Sequence, residues 1–244
     1  MTHNRARSYT SLVDEGWWLC IDQGGQSTRA AVLDDAGRLL ALGRAPVETA
    51  RPGPYLVEHS PPALLASVEA AITAALEAFP DAARSLRGAA LATQRSTLVC
   101  AQRTSGAALS AVLSWQDRRG ARELEAAAGP RAKRIHELTG LRLSPHYGVG
   151  KLRWCLEHEP AVRAAAGRND LAAAPLAAFL LHGLGVGEAW QVDSVNASRL
   201  LLMDLQSLAW SAELLEIFGA AREWLPTIRP CRFSYGTLLA GAAR

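Results

Sequence analysis

Lysine is almost missing from this 244-residue chain: Lys133 and Lys151 stand alone among 26 basic residues. The basic charge is arginine, and the net charge is only +3. No Lys/Arg-rich run with interleaved aromatics occurs, which excludes a nucleic-acid surface. Cysteine is sparse too. Cys20, Cys100, Cys155 and Cys231 follow no metal-ligand spacing, so neither a thiolate metal centre nor a disulfide framework is expected. Cys20 and Cys100 sit in apolar runs as small hydrophobes, and a reducing cytoplasm fits them best. No apolar run reaches membrane-spanning length, the stretch from Leu171 to Leu181 being too short. The N-terminal MTHNRARSYTSLVDEG has no apolar core for a signal peptide, so residues 1–15 are expected to be a disordered tail. Repeats are absent. So is any Ser/His/Asp set or His/Cys/Asp cluster of workable spacing.

What is present concentrates in Trp17 to Arg29, WWLCIDQGGQSTR. An apolar run ends abruptly in Asp22, followed by Gly24 and Gly25, then Ser27 and Arg29. The pattern reads as a buried strand that delivers a carboxylate to a glycine-bearing turn. The second strand resumes at Ala30. Backbone N–H groups in such a turn can surround phosphate while the carboxylate faces a metal ion. A plain hairpin corner uses the same residues, and Arg29 alone is equally a solvated surface charge.

Downstream, Asp34 to Gly37 reads as a turn and Arg38 to Arg44 as a third antiparallel strand. Tyr55 to His59 is short and extended. Ser60 then precedes a helix with Pro61 at its first position and an apolar row of Leu64, Val68, Ile72 and Leu76. Asp81 to Gly88 reads as a connection to a strand over Ala89 to Thr93. A further strand, Leu98 to Gln102, begins a second hairpin arm. The first segment is therefore βββαβ. Helices are expected over Arg119 to Ala128, Pro130 to Leu138, Gly150 to His158, Glu159 to Ala166 and Ser211 to Phe218.

Three polar clusters interrupt this pattern. Thr93 to Thr97 lies between two apolar strands, and its Arg95 can hold vicinal hydroxyls through a fork of donors. Alone, the segment reads as a polar hairpin loop. Trp115-Gln116-Asp117-Arg118-Arg119 offers an indole plate for the C–H face of a sugar, or a half-buried core tryptophan. His146 lies after Pro145 in a loop, where an ordinary loop histidine is the simpler reading. Asp193 to Arg199 reads as a polar loop of structural role beside a cleft.

In order, these stretches resemble the FGGY carbohydrate kinases. Asp22 to Arg29 is similar to the first phosphate loop, D-Q-G-T-T-S-S-R, and Gln94-Arg95 to N-Q-R-E. Trp115 to Arg119 repeats W-Q-D-R-R, and Leu138 to Leu141 repeats L-T-G-L. Lys151 to Trp154 and Asn196 to Arg199 resemble K-L-x-W and N-A-S-R. Glu223 to Pro230 with Tyr235-Gly236 resembles the family's exit segment. The resemblance implies an α/β, actin-like or ribonuclease-H-like domain, a mixed sheet with flanking helices, over residues 16–236. Residues 237–244 would begin a linker. It implies ATP-dependent phosphorylation of a sugar or polyol hydroxyl with Mg2+.

Carried over residue by residue, Asp22 is the catalytic and metal-associated carboxylate. Gly25, Gln26, Ser27 and Arg29 contact nucleotide phosphates, and Arg95, Ser96, Trp115 and His146 contact the substrate. Departures are visible. Gly25 and Gln26 replace two threonines, Ser96 replaces a glutamate, and His146 replaces a tyrosine. Loss of a carboxylate acceptor should discriminate strongly, which argues for a sugar or polyol other than glycerol.

The family's base, second phosphate loop and adenosine pocket have no counterpart here. The expectation is therefore the N-terminal half of a cytoplasmic kinase, inactive alone and completed by a second domain in cis or in trans. The alternative is a non-catalytic sugar-binding or partner-binding half-domain that self-associates through the face its second domain would cover. A different actin-like ATPase is a weaker reading, since Trp115 to Arg119 and Lys151 to Trp154 resemble sugar kinases specifically.

Overall fold

The computed structural model describes residues 16–187 and 190–238. The expected tail, residues 1–15, lies outside the described residues, as do residues 239–244 of the expected linker.

Three strands open the chain: β1 (Trp17–Gln23), β2 (Ser27–Leu33) and β3 (Leu39–Pro46). Each pairs antiparallel with the next. After a two-residue strand β4 (Glu58–His59), the chain enters helix α1 (Pro61–Ala78), then a short helix α2 (Ala82–Ser85). It returns as β5 (Leu86–Thr93), parallel to β1. The first sheet therefore has the order β3-β2-β1-β5 and is mixed, as expected.

The α1 side of this sheet is chosen by alternation. Ala41, Gly43 and Ala45 of β3 point to α1, while Leu40, Leu42 and Arg44 point away and are exposed. Helix α1 buries Leu64, Val68, Ala71 and Ala75, small at the closest approach. Gly43 makes that approach possible, since a Cβ there would stand 1.9 Å from the Ala71 carbonyl oxygen. The predicted Ser60 start of α1 holds, with Pro61 at its first position, although the Ser60 hydroxyl makes no capping bond.

Leu98–Gln102 forms β6 as predicted, but in a different sheet from β5. It lies between β7 (Val112–Leu113) and β8 (Leu171–Pro175) in a second sheet of order β4-β7-β6-β8. The expected hairpin arm thus belongs to a separate layer, and Gln94 to Thr97 crosses from one sheet to the other.

The helical half packs behind this second sheet. It contains α3 (Ala121–Ala128), α4 (Ala132–Thr139), α5 (Gly148–His158) and α6 (Pro160–Gly167). Gly140 ends α4 in the left-handed conformation, φ 69°, where a side chain would be strained. After β8 come α7 (Leu176–Gly183), β9 (Gln191–Asp193), α8 (Ser194–Ser198), β10 (Met203–Asp204), β11 (Ala209–Trp210), α9 (Ala212–Phe218) and β12 (Thr227–Arg229).

The apolar stretch Leu171 to Leu181 forms two elements, a fully buried strand and then a helix. One expectation changes here. The segment Asp193 to Arg199, expected as a loop, is the end of β9 followed by α8. Its Asp193 side chain caps that helix, accepting from the Asn196 N–H at 2.9 Å. One core runs beneath both sheets, from Leu19 and Ile21 through Leu98 and Val99 to Leu176, Leu200 and Phe218.

Candidate sugar and phosphate site

A cleft of about 390 Å³ opens where the chain crosses between the sheets, lined by Gln94, Arg95, Ser96, Trp115, His146 and Arg199. Four of these, Arg95, Ser96, Trp115 and His146, are the residues that the sequence proposed for substrate contact.

Each wall is held for a local reason. Ser96 sits at φ 64°, an unusual conformation for serine that turns the chain out of one sheet and into the other. It is only 4% exposed, yet its hydroxyl has no hydrogen-bond partner, and neither has the buried Gln94 Oε1. Trp115 is 41% exposed, with its backbone N–H donating to Thr97 Oγ1 at 3.1 Å. Its ring meets His146 edge-on at 5.7 Å.

The rest of the Trp115 cluster is structural. Asp117, fully buried, accepts from the Val57 N–H at 2.7 Å and from the Arg119 side chain at 2.9 and 2.8 Å. Arg119 also meets Glu58 at 2.5 Å and stacks on the Trp154 ring at 4.7 Å. Burial works against the Arg119 charge, but the bonds to Asp117 and Glu58 outweigh it and raise its pKa.

The loop carrying His146 is anchored from below. Lys151, 0% exposed, donates to the carbonyls of Pro145, His146 and Tyr147 at 3.1, 2.7 and 3.4 Å. Burial lowers the Lys151 pKa to about 7, with Asp117 opposing and Arg119 adding to the fall. The His146 pKa is also lowered, first by burial, then by the charges of Lys151 and Arg199. His146 therefore carries little positive charge at neutral pH.

The glycine turn lies behind the Gln94 wall. A Cβ on Gly25 would be 3.5 Å from Gln94 Oε1. Gln94 Nε2 donates to Gln23 Oε1 at 3.3 Å and faces His59 Nε2 at 3.5 Å. His59 Nδ1 donates to the Glu48 carbonyl at 2.9 Å, which leaves Nε2 as the acceptor for Gln94. Thr49 donates to the Gly25 carbonyl at 3.0 Å. Turn and cleft thus share one buried polar chain.

Within the turn, Gly24 N–H donates to the Ser27 carbonyl at 3.1 Å. The N–H groups of Gly25 and Gln26 have no acceptor among the described residues. Ser27 is buried beneath them. Strand alternation separates Asp22 from this chain. Gln23 points in, whereas Asp22 points to the open face of the sheet, 57% exposed and 3.5 Å from Arg29. The structure pairs Asp22 with Arg29 but does not put either in the wall of the cleft.

Sequence reasoning left out Gln94 and Arg199 as site residues. Both lay inside segments it had singled out, so position within those segments was the available signal. It also found no metal-ligand set. The structure gathers ligand atoms of Glu123, Glu157 and His158 within 4.8 Å at the exposed α3–α5 edge. There His158 Nε2 lies 3.4 Å from the largely buried Glu123 carboxylate. No described helix is long and apolar enough to cross a membrane.

The glycerol kinase of Leptothrix cholodnii is 34% identical over 225 residues, covering 91% of this chain and 45% of its own length. That of Cereibacter sphaeroides is 35% identical over 219 residues, covering 89% and 44%. The chain thus spans a little under half the length of these relatives. Among solved structures, Plasmodium falciparum glycerol kinase with ADP superimposes with a TM-score of 0.87 at 21% identity, covering 94% of this chain and 46% of its own. A xylulose kinase from Rhodospirillum rubrum gives 0.78 at 21% identity, covering 93% and 46%. Those two likenesses establish the fold, an actin-like one. The family model for the N-terminal domain of FGGY carbohydrate kinases matches residues 17–244, and the chain belongs to that family.

Proposed function

We propose that this chain is the sugar-binding half of an ATP- and Mg2+-dependent kinase that phosphorylates a hydroxyl of a sugar or polyol. The carrying observation is the pair of buried, unpartnered acceptors, Gln94 Oε1 and Ser96 Oγ, on the wall of a cleft that also holds an indole and a guanidinium. Buried polar atoms ordinarily find partners. A ligand carrying several hydroxyls supplies them here, while Trp115 covers its C–H face.

The residues of the turn fit a nucleotide's phosphates and their divalent ion. Two backbone N–H groups without acceptors point from Gly25 and Gln26, and an exposed carboxylate stands at Asp22. Bound ATP would supply the phosphoryl group. Arg29 would offset phosphate charge, and Asp22 would hold the ion. Arg95 and Ser96 would fix the acceptor hydroxyls. The base and the adenosine pocket would come from a second domain, in cis or in trans, as the coverage of the relatives suggests.

Calorimetric titration of the 244-residue chain with a panel of sugars and polyols tests this reading. Saturable binding is expected, lost in Arg95→Ala at an unchanged urea midpoint, with no ATP-dependent phosphorylation by the chain alone. Turnover by the lone chain would refute the requirement for a second domain. Absence of binding across the panel would refute the sugar site.

A partner-binding half-domain rests on a different observation. Trp18, Leu40 and Leu42 are exposed on the sheet face opposite α1. If that face serves a second copy, sedimentation velocity will show a dimer that Leu42→Glu dissociates. A monomer at all concentrations would exclude it.

A further inference from the structure

Glu123 lies in the first turn of α3, and Glu157 and His158 are the last two residues of α5. Gly120 and Gly150 let these helices approach closely, since a Cβ on Gly120 would stand 2.1 Å from the Gly150 carbonyl oxygen. Glu123 is the anomaly of this edge. Its side chain is only 9% exposed, and its Oε2 is buried with no hydrogen-bond partner. A buried carboxylate oxygen that no donor meets lowers stability. The other oxygen, Oε1, faces His158 Nε2 at 3.4 Å, longer than the about 2.7–2.9 Å of a charge-assisted N–H···O bond.

Glu157 brings a second carboxylate to the same place. It is exposed and has no side-chain partner among the described residues. Arg163 donates to its main-chain carbonyl at 2.9 Å and not to its carboxylate. Arg119, just ahead of α3, is engaged by Asp117 and Glu58. Ligand atoms of Glu123, Glu157 and His158 all lie within 4.8 Å of one another. Two carboxylates so close repel unless a cation stands between them. Tetrahedral Zn2+, with bonds of about 2.0–2.2 Å, spaces its ligand atoms by about 3.4 Å. Glu123 and His158 already have that spacing, and the exposed Glu157 side chain is free to turn inward.

We propose that Glu123, Glu157 and His158 form a structural site for a divalent transition cation, with Zn2+ as its representative, that staples the start of α3 to the end of α5. Water completes the coordination. One imidazole with two carboxylates suits such an ion, whereas Ca2+ and Mg2+ gather about six or more oxygen ligands. The cation meets the buried Glu123 oxygen and separates the two carboxylates. It also sits at the C-terminus of α5, the negative end of the helix dipole. Trp154 stacks on the His158 ring at 4.8 Å and on the Arg119 guanidinium at 4.7 Å. A metal that fixes His158 therefore supports the same indole on which the Asp117–Arg119 pair is packed.

Calorimetry of the untagged 244-residue chain tests the site, with ZnCl2, MgCl2 and CaCl2 as probes. One Zn2+ per chain is expected, bound about tenfold or more tighter than Mg2+ or Ca2+. His158→Asn removes the imidazole from an exposed helix end and should weaken Zn2+ about tenfold or more, as should Glu157→Gln. Both positions are exposed, so neither change threatens the fold. Zn2+ should raise the melting temperature of the wild type and not that of His158→Asn, because an ion bound only by the folded chain stabilises it. Cys231→Ser serves as the control and should bind Zn2+ as the wild type does. Absence of Zn2+ binding, or binding unchanged in both His158→Asn and Glu157→Gln, would overturn the site. Loss of binding in Cys231→Ser would move the ion to Cys231 and Asp193, which lie 3.9 Å apart, and overturn it too. Mg2+ or Ca2+ binding as tightly as Zn2+ would reduce the cluster to an acidic surface, with the same consequence.

Discussion

The buried Lys151 ammonium donates to the His146 carbonyl oxygen at 2.7 Å, and so fixes one wall of the cleft from inside the core. With the bonds to Pro145 and Tyr147, one side chain satisfies three successive loop carbonyls. Lys151→Met keeps the length of the side chain and removes every donor. Buried acceptors left unmet cost about 1–3 kcal/mol each. The variant should lose at least that much stability in urea and should weaken ligand binding through a loosened His146.

The same lysine gives a pH signature. Its folded pKa of about 7 lies below the ordinary lysine value of 10.5. Between those values the unfolded chain holds a proton that the folded chain has released, so stability rises with pH. The contribution is complete above about 10.5 and is lost as the pH falls through 7. Urea midpoints of the wild type should therefore climb from pH 7 to 10 more steeply than those of Lys151→Met. Parallel profiles would show that Lys151 titrates normally.

Asp117 and Arg119 form a buried pair whose halves depend on each other. Removing Arg119 strands the fully buried Asp117 charge, which costs about 3–5 kcal/mol for buried pairs. Arg119→Met should lower the unfolding free energy by about that amount, and Asp117→Ala by less, because Arg119 keeps Glu58 while the Val57 N–H loses its acceptor. The double variant Asp117→Ala/Arg119→Met should lose less than the sum of the single changes. Additive losses would mean that the pair is not coupled.

The sequence exposed most of this architecture where a residue type marks a boundary. An apolar run and the turns at Gly24-Gly25 and Asp34 to Gly37 placed the first three strands, Pro61 marked the start of α1, and Gly140 and Gly219 follow the expected helix ends in left-handed geometry. Where no marker exists, the reading fell short. Leu171 to Leu181 contains no turn residue apart from Pro175, and its strand is buried on both faces, so periodicity could not divide it. Four cleft residues were legible through the motifs they resemble, since locally each read as an ordinary loop or half-buried core residue. Gln94 and Arg199 were not assigned to it, because they meet only through a crossing between two sheets, a tertiary fact. Lys151 was quoted for its resemblance alone, and nothing local announces a lysine with no exposed surface.

Gly43 tests the contact that holds the opening antiparallel strands against α1. An added Cβ would stand 1.9 Å from the Ala71 carbonyl oxygen and 2.5 Å from the Ala75 nitrogen, both backbone atoms that cannot swing aside. Overpacking of this kind typically costs 1–3 kcal/mol, about, and occasionally more. Gly43→Ala should lower the melting temperature by several degrees and weaken nucleotide binding to the turn. An unchanged melting temperature would mean that β3 and α1 separate without penalty.

Ser96→Ala separates function from stability. The Ser96 hydroxyl is buried with no partner, so its removal deletes a desolvated group and breaks no bond of the folded chain. The unfolding free energy should stay within about 0.5 kcal/mol of wild type or rise. Ligand affinity should fall, because a hydroxyl lost from the site leaves a polar ligand group unpaired, at about 0.5–1.5 kcal/mol for a neutral bond, a loss of roughly two- to tenfold. A variant that is less stable and binds as well as wild type would place the hydroxyl in the scaffold. The unpartnered oxygen would then have to be satisfied by water, not by the acceptor.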